Sequence, residues 1–225
     1  MKKNKKLLLV GIGETGILAH EYFTHDSDYE VIAFLADREF IKEATFNGLP
    51  LISLDEVVVR FNVNEYHVFV AMGSGHLNRD RASVYGRMKE LGYKFASYVS
   101  SRAFVWQNVE IGENCLVLEH NTVQPFTKIG NNVVLWSGNH IGHRTVIEDH
   151  CFITSHVVIS GFCRIGAYSF IGVNAAFADN LEIGQNNFIA MGAVISKNTD
   201  DNGLYIGNPA EKKTISAKKF CKVRD

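Results

Sequence analysis

The sequence has no excess of charge, no long apolar run and no paired cysteines. A formal net charge of −1 gives no general attraction to polyanions, so a nucleic-acid partner or an anionic membrane surface would need a local basic patch. None stands out: the run Lys2-Lys3-Asn4-Lys5-Lys6 is short, and Lys212, Lys213, Lys218, Lys219 and Lys222 are scattered. Leu7 to Ile12 is too brief and too glycine-interrupted for a signal peptide or a membrane span, which points to a cytoplasmic protein without membrane insertion. Cys115, Cys151, Cys163 and Cys221 show no paired spacing, and the first three read as small, reduced hydrophobes. What is present is a globular balance: 225 residues, 46% hydrophobic and 21% charged, enough for one large or two small domains.

The first half alternates strand and helix signals. Lys6 to Val10 reads as an apolar strand, Gly11 to Gly16 as a glycine turn and Ile17 to Phe23 as the start of a helix. Glu30 to Leu35 is a second strand ending at Asp37, and His67 to Met72 is a third that runs into Gly73-Ser74-Gly75 before a helix from about Arg79 to Leu91. This order predicts an α/β N-terminal domain, a Rossmann-like half with a small parallel sheet.

After Val99 the pattern changes. Every sixth residue from Val105 to Ile195 is apolar, sixteen positions without a slip; at this composition the chance is roughly 4 in a million per phase. Six residues cannot be a helical period. They suit a coil of three short strands, each sending one large aliphatic side chain inward, with smaller residues such as Cys115, Thr127, Thr145, Cys151, Cys163, Ser169, Ala175 and Ala193 in the other interior slot. Glycine often follows the aliphatic residue, as at Gly112, Gly130, Gly142, Gly166, Gly172 and Gly184, where a sharp corner turn is expected. The pattern predicts a C-terminal left-handed parallel β-helix of about five coils stacked at roughly 4.8 Å, a prism near 25 Å long, with no long loop to shape a site. The expected divisions are 1–99, 100–213 and a tail, 214–225.

An α/β domain, then an uninterrupted hexapeptide helix, then Ile206-Gly207-Asn208-Pro209-Ala210 resembles the bacterial nucleotide-sugar N-acetyltransferases of the bacillosamine and perosamine pathways, grouped with the sialic acid O-acetyltransferase-like family. The resemblance implies a homotrimer, acetyl-CoA or another acyl-CoA as co-substrate in the groove between neighbouring β-helices, no metal, a nucleotide-linked amino sugar held by the N-terminal domain, and a place in surface-glycan (lipopolysaccharide or O-antigen) biosynthesis.

Gly11-Ile12-Gly13-Glu14-Thr15-Gly16 follows a strand and opens a helix, the context in which backbone N–H groups and the positive helix end face a phosphate. Asp37, at the end of the next strand, stands where a ribose- or base-binding acid is expected, or it caps a turn. A dinucleotide site needs two mononucleotide halves, and about 65 residues between Asp37 and the β-helix hold one; the reading is therefore a nucleoside diphosphate-sugar, dTDP- or UDP-linked. Gly73 and Ser74 would line the same crevice. The family often has Gly-Asn-Asn there with an arginine close behind; this chain has Gly73-Ser74-Gly75-His76 and a longer loop before Arg79 and Arg81, and Arg81 is expected on the substrate.

Acyl transfer to an amine needs a base for the amine proton and donors for the oxyanion. Of His120, His140, His143, His150 and His156, His143 sits two residues past an inward aliphatic, at a corner facing outward, and matches the family's catalytic histidine. Gly161 lies one coil later, and the resemblance implies that its N–H meets the thioester carbonyl. The bacillosamine-type enzymes follow the histidine with a glutamate; here Arg144 stands there, so Glu119 or Asp149 is expected to orient the ring, or the base operates without a carboxylate, or Asn139 and His140 share the work. A coenzyme A path is expected along Gly172, Asn174, Ala175, Gly192, Ala193, Asn208 and Pro209, with Lys197, Lys212 and Lys213 toward its phosphates.

Two other functions suit parts of this sequence. A zinc enzyme of the γ-carbonic anhydrase kind shares the β-helix and uses histidines across a trimer interface; a nucleotide-binding trimer without catalysis would bind the sugar nucleotide and release no thiol.

Overall fold

The computed structural model describes residues 2–223. The chain divides into two compact units: the first runs from the N-terminus to Gly73 and resumes at Ser83–Tyr98, and the second joins Ser74–Ala82 to everything from Val99 onward. The loop that follows the third expected strand therefore belongs with the second unit.

The first unit is a six-stranded sheet with helices. Its elements are β1 (Lys5–Val10), α1 (Glu14–His25), β2 (Tyr29–Ala36), β3 (Thr45–Phe46), β4 (Leu49–Ser53), α2 (Val57–Arg60), β5 (Tyr66–Val70), α3 (Arg79–Glu90), whose first residues lie in the second unit, and β6 (Lys94–Phe95). The strand order is β3-β4-β2-β1-β5-β6, parallel throughout except for the β3–β4 pair. Leu7, Leu8 and Leu9 are all fully buried, because β1 is central and covered on both faces; this is why it reads as an unbroken apolar run. The chain leaves β1 to one side for β2 and returns on the other for β5, so the order reverses beside β1. A crevice opens at the carboxyl ends of the strands at such a switch point. The sequence signals find β1, β2 and β5, place the start of α1 three residues late, and miss the β3–β4 hairpin.

The second unit carries sixteen two-residue strands, from Phe104–Val105 to Val194–Ile195, at an interval of six without interruption. The first thirteen each pair in parallel with the strand eighteen residues on, as in His140 with Val158 and Ile141 with Ile159. The aliphatic residue of each strand is interior: Val117, Val123, Leu135, Ile141, Ile153, Ile159, Ile165, Ile171 and Ile189 are fully buried. The smaller slot is filled as expected, with Thr127, Thr145, Cys151, Ser169, Ala175 and Ala193 also at 0% exposure.

The corners are built differently from the expectation. Left-handed backbone falls at every sixth residue from Asn114 to Gly192, and twelve of those fourteen positions are not glycine. The glycines after the aliphatic residues do not adopt it. They are required by the neighbouring coil: a β-carbon on Gly142 would stand 2.5 Å from the carbonyl carbon of Ser160, and one on Gly172 would stand 2.5 Å from the Met191 nitrogen. Backbone occupies that space, so no side chain fits.

Beyond Ile195, Leu204–Ile206 pairs in parallel with Phe188–Ile189 and antiparallel with Glu211–Lys212. Gly207-Asn208-Pro209-Ala210 is the turn of that hairpin, and its Asn208–Pro209 bond is cis.

Candidate active site

Three columns of corner residues run down the β-helix, and each has its own chemistry. Asn114, Asn132, His150, Tyr168 and Asn186 form the first. The segment Ser74–Ala82 docks on it: Arg81 Nε donates to Asn132 Oδ1 at 3.1 Å, and Nη2 donates to the carbonyl oxygens of Asn132, His150 and Cys151 at 3.1–3.3 Å. Arg79 stacks 3.6 Å from the centre of the Tyr168 ring and bonds Asn186, while Asn78 donates to the carbonyls of Tyr168 and Ser169. His76, Leu77 and Asn78 make one turn of left-handed backbone, with φ of 48°, 54° and 65°.

This placement corrects Arg81. The side chain is only 1% exposed and its bonds go to backbone and amide oxygens of its own unit, so no face of it meets a substrate. Burial lowers its pKa to about 10, which leaves it cationic at neutral pH. His150 sits beside it; burial, more than the nearby arginines, pushes that imidazole down to about 4. The neutral ring accepts a 2.9 Å hydrogen bond at Nδ1 from Asn132 Nδ2.

The second corner column is Phe126, Arg144, Phe162 and Asn180, and His143 projects beside it. His143 is exposed. Its imidazole lies across Gly161, where a β-carbon would stand 2.2 Å from Nδ1 and Cε1, and it meets the Phe162 ring edge-on with centroids 4.9 Å apart. The His143 backbone N–H donates to Gln124 Oε1 at 2.9 Å and its carbonyl accepts from Phe162 N. The stacking of His143 on Gly161 is therefore as the register requires.

Several expected partners are elsewhere. The Gly161 N–H is bonded to Asp179 Oδ1 at 2.8 Å, and the residue's lack of a side chain seats the ring. Asn139 is buried at 1%: its amide donates to Trp136 O and its Oδ1 accepts from Val157 N at 2.8 Å, so it braces the coil and is out of reach of a substrate. Glu119 accepts from Ser137 Oγ, and Asp149 accepts from Asn131 N, so these carboxylates serve other corners. The carboxylate that shares the His143–Gly161 column is Asp179. Counting two coils on from His143 locates it.

The third column runs His120, Gly138, His156, Asn174 and Gly192, with the His156 ring over Gly138. Of the residues expected on coenzyme A, Asn174, Gly192, Asn208 and Pro209 are exposed. Gly172, Ala175 and Ala193 are not: Ala175 and Ala193 fill the interior and Gly172 is buried under the next coil. Among the described residues no three His, Cys, Asp or Glu side chains of the chain group as a metal site, and no helix is long and apolar enough to cross a membrane.

The first unit holds a cavity of about 270 Å³ lined by Val10, Leu35, Phe40 and Leu54 together with Gly11, Gly13, Thr15, Asp37 and Gly73. Gly11 has φ +121° and its Cα packs on the Ala71 carbonyl; Gly16 packs on Gly11; Gly13 faces open space. No side chain caps α1, which leaves its first amides for an anion. Glu14 is exposed and does not line the cavity, and Ser74 lies in the second unit. Asp37 stands at the start of the turn Arg38–Phe40, but its carboxylate does not cap it; Oδ1 accepts from Arg87 Nη2 at 2.6 Å.

An α/β unit followed by a hexapeptide-repeat β-helix defines the class, and comparison with known proteins gives the likeness in particular. Residues 126–161 match the family described as bacterial transferase hexapeptide (six repeats). The resemblance drawn from the sequence holds: the acetyltransferase domain of PglB from Neisseria gonorrhoeae is 25% identical, with TM-score 0.83 over 93% of this chain and 100% of that one, and its complex with acetyl coenzyme A gives 26% and 0.84. At 20% identity, the perosamine N-acetyltransferase of Caulobacter crescentus, solved with CoA and GDP-perosamine, shares the fold with TM-score 0.82 over 93% of this chain and 97% of that one. Among curated relatives, the acyl-[acyl-carrier-protein]–UDP-N-acetylglucosamine O-acyltransferase of Stutzerimonas stutzeri is 28% identical over 90 residues, 40% of this chain. The chain spans about a third (35%) of the length of such relatives.

Proposed function

We propose that the protein transfers an acyl group, acetyl in the first instance, from coenzyme A to the amine of a nucleotide-linked amino-deoxy sugar, in the cytoplasm and for surface glycans. The observation that carries this is the exposed His143 imidazole seated on Gly161, in a fold whose solved relative binds acetyl coenzyme A. Acyl-CoA supplies an activated thioester. As the sugar nitrogen bonds to the acyl carbon, His143 takes the proton that nitrogen must lose; the C–S bond then breaks and the imidazolium returns the proton to the departing thiolate, giving amide and free thiol.

The cavity beside Gly11, Gly13, Thr15, Asp37 and Gly73 takes the nucleoside, with the phosphate next to it at the uncapped start of α1. The nucleotide is dTDP or UDP on the sequence reading, with GDP added by the Caulobacter relative. The exposed residues Asn174, Gly192 and the 207–209 turn lie along the path proposed for an extended pantetheine chain. Three copies in a ring fit the outward apolar residues Phe104 and Val158, at 54% and 45% exposure on one flat face. A panel of acyl-CoA donors against UDP-, dTDP- and GDP-linked amino sugars, read by thiol release, tests the activity. Release with none of them, from a folded protein, would refute it, and stoichiometric zinc with bicarbonate turnover would put a carbonic anhydrase in its place.

A further inference from the structure

Arg144 stands at the same corner as His143 and has no carboxylate partner among the described residues. Its guanidinium lies 4.6 Å from the centre of the Phe126 ring, one coil before it, and 6.0 Å from that of Phe162, one coil after. Both rings are about half exposed, at 52% and 50%. All three residues hold left-handed backbone, with φ of 64°, 56° and 58°, a conformation that is unfavourable for bulky side chains and that Asn or Gly would adopt at lower cost. Elsewhere on the β-helix such corner positions are mostly Asn, His and Gly.

A guanidinium flanked by aromatic rings is held by its faces, and its N–H donors stay directed outward in the plane. That geometry suits a phosphate, which takes two parallel donors from one arginine. We propose that Arg144 binds the sugar-linked phosphate of the amino-sugar nucleotide while the neighbouring His143 serves its amine; this rests on the function proposed above. The acceptor's phosphate is the one within reach. In an amino-sugar nucleotide one pyranose ring separates the reacting nitrogen from the diphosphate, whereas the phosphates of coenzyme A lie a full pantetheine arm from the thioester.

The test is equilibrium titration of UDP-, dTDP- and GDP-linked 4-amino-4,6-dideoxy sugars, and separately of coenzyme A, into the full-length wild type, Arg144→Ala and Arg144→Lys. The expected result is a loss of sugar-nucleotide affinity of roughly 10- to 100-fold in Arg144→Ala, partly regained in Arg144→Lys, with coenzyme A affinity unchanged and a weaker salt dependence of sugar-nucleotide binding in Arg144→Ala than in wild type. Unchanged sugar-nucleotide affinity in Arg144→Ala overturns the assignment and leaves the proposed function standing. A fall in coenzyme A affinity alone moves the residue to the donor and overturns it too. Dissociation or unfolding of Arg144→Ala and Arg144→Lys alike would make the residue structural. Wild type that binds none of the three sugar nucleotides refutes this assignment together with the acceptor class on which it rests.

Discussion

The ring of His143 occupies the space that a side chain on Gly161 would fill, with Nδ1 and Cε1 both 2.2 Å from an ideal β-carbon. The two residues are eighteen apart in sequence and adjacent in space. Because the obstructing atoms are the end of a side chain that can rotate away, Gly161→Ala is expected to fold normally, with a melting temperature within a few degrees of wild type, and to lose turnover by roughly 10- to 100-fold because the base is displaced. Wild-type turnover in a folded Gly161→Ala protein would show that the seat is irrelevant.

His143→Ala and His143→Asn remove the base itself. Turnover should fall by roughly 100-fold or more, with acyl-CoA affinity near normal. The measurement is steady-state thiol release alongside equilibrium binding, so that a loss of donor binding is told apart from a loss of proton transfer.

Arg81→Ala should destabilise the protein by about 2–4 kcal/mol in denaturant unfolding, because the carbonyls of Asn132, His150 and Cys151 and the Asn132 side chain lose a buried donor together. Arg81→Lys should recover little of this, since an ammonium cannot span that fork of acceptors. A substrate-binding arginine would show the opposite pattern: intact stability and a raised KM.

His150 gives stability a pH dependence of known sign. Its folded pKa, about 4, lies below the ordinary histidine value of 6.5, so below pH 6.5 the unfolded chain takes up a proton that the folded chain refuses. Stability from this group is therefore full above about pH 6.5 and declines as pH falls toward 4, where protonation would also set two donors face to face at Asn132. Thermal unfolding from pH 7 to 4 should show a smaller decline in His150→Gln than in wild type. Parallel curves would place the acid sensitivity elsewhere.

The β-helix was legible because its signal is a strict period: one buried aliphatic every six residues leaves a mark that no local turn chemistry obscures. The register legible in the sequence also put Gly161 under His143. The reasons for individual residues were less visible. Gly142 and Gly172 look like turn residues, yet the constraint on them comes from backbone eighteen residues later, and the turns themselves are made at positions such as His120 and Phe126 whose side chains give no hint of left-handed backbone. Arg81 and Asn139 have the polarity of site residues, but polarity does not report burial. Asp179 is related to His143 only by the count of two coils, and Glu119 and Asp149 lie nearer in sequence. The β3–β4 hairpin is too short to leave a period.

The unbroken interval of six also gives this gene segment something like a second reading frame. An insertion or deletion of eighteen residues between Val105 and Ile195 would lengthen or shorten the prism by one rung and return every corner to its own column. A change of six would keep the core filled but carry each later residue one corner round, and between His143 and Gly161 it would put another residue under the imidazole. A length that is not a multiple of six would turn the aliphatic side chains out of the interior. Length variation in this region is thus restricted to whole coils if chemistry is to survive, and to multiples of six if only folding must.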